Sequence, residues 1–428
     1  MVASFDPFRS FRRDCSLTTF RASNKPQKPL GLGLFPPNMS TAVHPTEKFH
    51  SILDRIPHIQ ALKSEKDKVN IENFVGYVQV PVGLAGPLRV QGSEHTDDEF
   101  CAPLATVEPT LVASCSRGSK ALHRCGGVRF RVLDEGMSRA PVFVFADTAD
   151  AVAFAELLPS LYEQFARDAE STSRHARLQK LNPHIIGSNV HVNFSYFCGD
   201  AAGQNMVTIA TQRVCDRFIV LATARELRVQ DVIIEGQMAS DKKPSWANVK
   251  EPRGVQVIVW ARLNDAVCQE ILGCTTERLY RAILMLKEGG IRNGQFGCNI
   301  NAANVIAAMF ISCGQDAASV AEGSWSHLTP EYEWTTKDLK LSMFFPSLPV
   351  GVVGGGTFYA AQQDSLQLLN CQGPGGKRRL AGLIGAFALA LDMSTIAAIA
   401  NNTFAKSHAA LARGETQTSN RVSACPKL

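Results

Sequence analysis

The stretch Leu380–Ala400 places the strongest constraint on how this chain can fold. It is apolar and long enough to cross a bilayer. Yet it carries Asp392 near its middle, followed by Ser394 and Thr395. A charge at bilayer depth is costly, so the stretch predicts a helix buried on all sides within a protein core. Such a core needs a long chain. The 428 residues, 45% hydrophobic and 19% charged, are enough for two or three domains and exclude a mostly disordered polymer. The net charge of +5 is spread without a basic block, so no nucleic-acid partner is expected.

The twelve cysteines are scattered and form no CxxC pair. That pattern predicts reduced thiols in an intracellular protein, with no zinc or other metal site. The N-terminus lacks the apolar segment of a secretory signal. Residues 1–45 are expected to be a disordered leader. Pro426-Lys427-Leu428 is similar to a peroxisomal S-K-L address with Pro in the first place. A cytoplasmic location is expected, with the peroxisome as alternative.

Apolar spacing predicts helices over 52–68, 110–122, 150–168 (interrupted at Pro159), 301–312 and 380–400, and a further one from Met206. Alternation predicts strands at 128–132, 190–196 and 255–263. The Gly/Pro-rich stretch 74–90 reads as strand and turn. With no steady βαβ rhythm, the fold class is α+β.

Gly373-Pro374-Gly375-Gly376-Lys377 imitates a phosphate loop but fails it: Cys371 stands where the first Gly is required, and Arg378 where Ser/Thr is. Four other segments carry chemistry. Glu108 lies among apolar residues before a helix, where burial would suit a proton donor and a helix-terminal acid is the plainer reading. Lys242, between Asp241 and Lys243, could polarise a carbonyl or sit in a solvated turn. Asp316, in Gly314-Gln315-Asp316-Ala317-Ala318, could serve a site or cap a turn. His408 could protonate a leaving group from a tail or lie idle on the surface. Spacing alone does not bring them together.

In this order the segments resemble the catalytic portion of the class I (eukaryotic-type) 3-hydroxy-3-methylglutaryl-coenzyme A reductases. The resemblance runs from Glu72-Asn73-Phe74-Val75-Gly76-Tyr77 and Pro81-Val82-Gly83-Leu84-Ala85-Gly86-Pro87-Leu88 through Ser171–Lys180 and Gly199–Met206. It continues through Asp241-Lys242-Lys243-Pro244, Val353-Gly354-Gly355-Gly356-Thr357 and Lys406-Ser407-His408. It implies a four-electron, NADPH-dependent reduction of hydroxymethylglutaryl-CoA to mevalonate and CoA. Lys242 would polarise the thioester and the aldehyde, Glu108 protonate the aldehyde oxygen, Asp316 tune that pair, and His408 protonate the CoA thiolate. Ser173, Arg174, Asp200, Asn205, Met206, Val353, Gly354, Gly355, Gly356 and Thr357 would bind NADPH. Arg139, Asp241, Lys243 and Asn304 would hold the acyl group or orient the lysine.

The resemblance also implies a large substrate domain (46–140 and 234–428, ending in a mobile tail). A small ferredoxin-like NADP-binding domain would be inserted at 141–233. It further implies a homodimer or homotetramer with active sites between subunits. No membrane domain is expected before the catalytic part. Glu235 stands where the family has a serine touching the substrate, and would repel the acyl carboxylate unless turned away. The segment Lys287–Asn299 is shortened, so Lys287 is an uncertain counterpart of the family's second substrate lysine. Besides a reductase of hydroxymethylglutaryl-CoA, these departures leave open the same chemistry on another acyl-CoA, or a non-catalytic relative.

Overall fold

The computed structural model of the chain describes residues 69–405. The expected leader, the helix at 52–68, His408 and the tail lie outside the described residues. Residues 69–79 belong to a unit of their own, in which the Phe74 and Tyr77 rings meet edge to face at 5.2 Å.

The second unit begins at Val80. Its principal elements, in chain order, are strands β1 (Val82–Gly92) and β2 (Thr96–Ala105), helix α1 (Leu111–Arg124), strands β3 (Val128–Arg139) and β4 (Val142–Phe145), and helix α2 (Thr148–Glu170). Strands β5 (Arg177–Ile186) and β6 (Asn189–Phe197), helix α3 (Gln204–Phe218), and strands β7 (Val229–Ile233) and β8 (Gly254–Leu263) follow. Then come helices α4 (Thr276–Arg292) and α5 (Ala302–Ser312), strands β9 (His327–Glu333) and β10 (Asp338–Leu348), and helix α6 (Gly376–Ala400). This is the expected α+β class.

The strands run in the order β7-β4-β6-β3-β8-β10-β9, with β1 beside β3 and β5 beside β6. Strand β3 is the seam. Its residues from Arg129 to Gly136 pair with β8, whereas Met137–Arg139 pair with β6. Two apolar cores follow from this division. One gathers Phe143, Phe154, Phe165, Phe194 and Phe218 between α2, α3 and the β4–β6 strands. The other surrounds α6.

Helix α6 is buried along almost its whole length, as its all-round apolar sequence predicts. Helix α1 approaches it so closely that a Cβ at Gly118 would lie 1.9 Å from the Ala390 carbonyl oxygen. Asp392 finds its partners within the protein: its two oxygens accept from the backbone N–H groups of Ile300 and Asn301, each at 2.9 Å. The carboxylate thus caps the N-terminus of α5, where the helix dipole favours negative charge. Burial pushes it up to about 6 all the same.

Three expectations change. Pro159 does not interrupt α2, because it faces solvent while Phe154, Leu158, Leu161 and Phe165 bury a continuous face on either side. The strand expected from residue 74 begins at Val82. Strands β2, β4, β5, β7, β9 and β10 carry no clean period of their own, since their burial is set by neighbours distant in sequence; helix α4, also unanticipated, does carry one, burying Leu279, Ala282 and Ile283 on one face.

Candidate active site

Lys242 rides on a tight turn between β7 and β8. Ser240 (φ 56°) and Lys242 (φ 59°) both take left-handed backbone, an uncommon state for non-glycine residues that marks a constrained turn. The Lys242 Nζ lies 2.9 Å from Asp316 Oδ2. The other oxygen, Oδ1, accepts from Ala318 N–H at 3.0 Å and caps the turn Ala317–Ser319. One oxygen of Asp316 therefore fixes its own loop and the other pairs with the lysine.

Glu108 is exposed at the end of the β2–α1 connection, so apolar burial is not what prepares it as an acid. Its Oε1 accepts from Asn304 Nδ2 at 3.2 Å. Asn304 stands in the first turn of α5, the helix capped by Asp392.

Arg139 ends β3. Its Nη1 donates to Glu235 Oε2 at 2.6 Å, and its Nη2 lies 3.6 Å from Asp241 Oδ2. Asp241 also meets the fully buried Arg253, Oδ1 to Nη2, at 2.8 Å. The Asp241 carboxylate thus sits between two arginines. Lys243 is exposed, its Nζ donating to the Asp241 carbonyl at 3.0 Å. Lys287 Nζ donates to His327 Nε2 at 3.2 Å. Burial and this ammonium hold the His327 imidazole below its ordinary value, which suits a neutral acceptor. Lys287 lines a cavity of about 330 Å³ with Met285, Cys298 and Ile300.

Two of the loops expected to bind nucleotide are joined. Val352 N–H donates to the Asp200 carbonyl at 2.8 Å, and Ala201 bridges Val353. Asn205 and Met206 lie in the first turn of α3, after Gly203 at φ 91°. Val353 is exposed, and a Cβ at Gly354 or Gly355 would meet nothing within 4 Å. Thr357 is buried and closes this loop by donating to the Gly354 carbonyl at 2.8 Å. Gly356 packs against Gly314, beside Asp316. Ser173 and Arg174 lie in the α2–β5 connection, Arg174 exposed. The Asp200 carboxylate accepts from the N–H groups of Gly375 and Lys377, both at 3.2 Å, and so caps α6. The imitation phosphate loop therefore already spends two N–H donors on Asp200.

Gln315 was passed over in the sequence. Its side chain accepts from Gly351 N–H and donates to the Gly351 carbonyl, both at 2.8 Å, and donates to the Cys313 carbonyl at 2.7 Å. It welds the Asp316 loop to the 351–357 loop. Its place between Gly314 and Asp316 was the available signal. Arg253 and Glu322 gave none, because an isolated charge in sequence does not announce that it is buried.

A lysine held by a carboxylate and an open glycine loop joined to it through Gln315 form one cluster suited to carbonyl polarisation on an α+β scaffold, and among the described residues no hydrogen bond or ion pair links the Glu108–Asn304 pair to it. Comparison with known proteins agrees. The family profile "Hydroxymethylglutaryl-coenzyme A reductase" matches residues 43–413. The 3-hydroxy-3-methylglutaryl-coenzyme A reductase of Methanocaldococcus jannaschii is 37% identical over 350 residues, covering 81% of this chain and 85% of the relative. A Cannabis sativa relative named 3-hydroxy-3-methylglutaryl coenzyme A reductase 1 is 38% identical over 345 residues, 78% of this chain and 58% of that protein. The class II reductase structure from Streptococcus pneumoniae bound to NADPH superimposes with a TM-score of 0.62 at 18% identity, covering 83% of this chain and 93% of that one. The chain belongs to the hydroxymethylglutaryl-coenzyme A reductase family.

Proposed function

We propose that this chain reduces 3-hydroxy-3-methylglutaryl-CoA to mevalonate and free CoA, using two NADPH, and that it is of the class I type. Identity of 38% to the plant relative, against 18% to the class II structure, supports the class. The observation that carries the function is the 2.9 Å pair of Lys242 and Asp316 beside the open Val353–Thr357 loop.

Both reductions need a carbonyl made electrophilic and an oxyanion stabilised. The Lys242 ammonium does this for the thioester and then for the aldehyde, and a positive group aimed at a developing oxyanion is worth about 10²–10³ in rate. Asp316 holds that ammonium in place. Glu108, oriented by Asn304, gives its proton to the aldehyde oxygen, and a positioned acid contributes about 10²–10⁴. His408 would protonate the CoA thiolate and stop it from re-attacking the aldehyde.

NADPH supplies the hydride in each reduction. The residues fit such a group: Gly354 and Gly355 leave room for close backbone approach, α3 offers its N-terminus, and exposed Arg174 suits a phosphate. The test is NADPH oxidation by the purified chain with hydroxymethylglutaryl-CoA. Mevalonate as product supports the reading; silence with bound NADPH overturns it.

One observation favours a second reading. Glu235 is turned onto Arg139, so the arginine meets the acyl pocket already neutralised. Such a pocket suits an uncharged acyl-CoA better than one bearing a carboxylate. Turnover of a neutral thioester in preference to hydroxymethylglutaryl-CoA would establish it.

A further inference from the structure

We propose that Arg253 is a positioning residue for Lys242, acting through Asp241. The inference rests on the reading of Lys242 as the carbonyl-polarising group.

The Arg253 side chain is wholly buried. A buried guanidinium persists only where anions meet it. Here its Nη1 donates to Glu322 Oε1 at 2.6 Å, and Glu322 is itself without exposed side-chain surface. Its Nη2 pairs with Asp241 Oδ1 at 2.8 Å. The backbone is as firmly set: Arg253 N–H donates to Ser347 Oγ at 3.0 Å, and that hydroxyl donates to the Asn248 carbonyl at 3.0 Å. Arg253 is therefore a rigid post at the start of β8, braced by β10 on one side and by Glu322 on the other.

Asp241 is what the post holds. It precedes Lys242 in a turn whose residues 240 and 242 are both left-handed. Lys242 is itself 44% exposed at its side chain, so packing does not fix it. The polar ties of this turn to other elements run through Asp241, to Arg253 and Arg139, and through Lys242, to Asp316. With Asp241 gripped, the backbone of Lys242 has one position from which its ammonium reaches Asp316. Without the grip the ammonium is no longer aimed. A misplacement of about 1 Å in a catalytic group costs on the order of 10²-fold in rate.

The experiment uses the full chain in two variants. Arg253→Lys keeps a buried cation but cannot fork between two carboxylates. Arg253→Met combined with Glu322→Gln removes both ends of the buried pair, so no charge is stranded. Circular dichroism checks folding, and kcat and KM are measured for both substrates. The expected result is a kcat lower by about tenfold or more with the KM for NADPH within about twofold, since only aim at the reacting carbonyl is lost. A folded variant with wild-type kcat overturns the proposal. Crystal structures of the wild type and Arg253→Lys read the same claim without turnover. Lys242 withdrawn from Asp316 supports it, and Lys242 still paired with Asp316 overturns it. Should the wild type fail to reduce hydroxymethylglutaryl-CoA, the proposed function falls by itself, and the position of Lys242 alone decides the role of Arg253.

Discussion

Glu235 accepts a hydrogen bond from Arg139 across 2.6 Å, with both side chains largely enclosed. The Glu235 carboxylate, expected from the sequence to repel an acyl carboxylate unless turned away, is engaged by this arginine. It acts instead by occupying the arginine. Glu235→Ser would leave Arg139 with only the 3.6 Å contact to Asp241. A freed guanidinium gains a charge-assisted partner in the acyl carboxylate, worth about 1.5–3 kcal/mol. The KM for hydroxymethylglutaryl-CoA should fall by roughly tenfold while that for a neutral acyl-CoA stays put. Equal effects on both thioesters would mean that Arg139 does not meet the acyl end.

Asp316→Asn separates the two tasks of Asp316. Asparagine caps a turn about as well as aspartate, so thermal stability should hold. Lys242 loses its counter-charge, and kcat should drop about 10²-fold, of the order expected when a group aimed at an oxyanion is lost. Lys242→Ala should abolish reduction with NADPH affinity unchanged, as read by nucleotide fluorescence.

Gly351→Ala probes the joint between the two loops proposed to hold NADPH. The added Cβ would come 2.2 Å from the Ala202 backbone nitrogen, so backbone must move. The 200–203 loop should part from the 351–357 loop. The dissociation constant for NADPH should rise several-fold, whereas Gly289→Ala on α4, where a Cβ meets nothing within 4 Å, should leave it alone.

The carboxyl of Asp392 is raised by burial to about 6 from an ordinary 3.8. Between those values the folded chain holds a proton that the unfolded chain has released. This group's contribution therefore makes stability rise as pH falls from about 6 to about 4, and weighs against the folded state above that range. Denaturation of wild type and Asp392→Asn should show wild type gaining on the variant over that window, by on the order of 2–3 kcal/mol. Parallel curves would mean that Asp392 is ionised throughout.

Burial pushes the Cys115 and Cys313 thiols up to about 12. Thiolate is the reactive form, so neither should be alkylated at pH 8 until the chain unfolds. Cys298, half-buried beside the Lys287 cavity, should label before either of them under native conditions. Mass spectrometry of iodoacetamide-treated protein reads the order directly.

Much of this molecule was legible in the chain. Helix α6 could be read because an apolar run is visible residue by residue, and its lone Asp392 argued for a protein interior over a bilayer. Strands β3, β6 and β8 announced themselves by alternation, and the family resemblance carried by the ordered motifs implied Lys242, Asp316 and Asn304 as site residues. These are short-range properties, written in neighbouring residues. The sequence by itself determined that the chain has a helical core element, an α+β composition and the functional groups for carbonyl chemistry. Only the tertiary structure decided what those groups do to one another. Glu108 is exposed, Glu235 turns onto Arg139, Asp392 caps a helix 92 positions away at Ile300, and Arg253 spans 69 positions to Glu322. The reason is physical: a charge carries no mark in sequence of whether it will meet water or a partner. That choice is made by desolvation and Coulomb attraction, which act only after distant segments have been brought together.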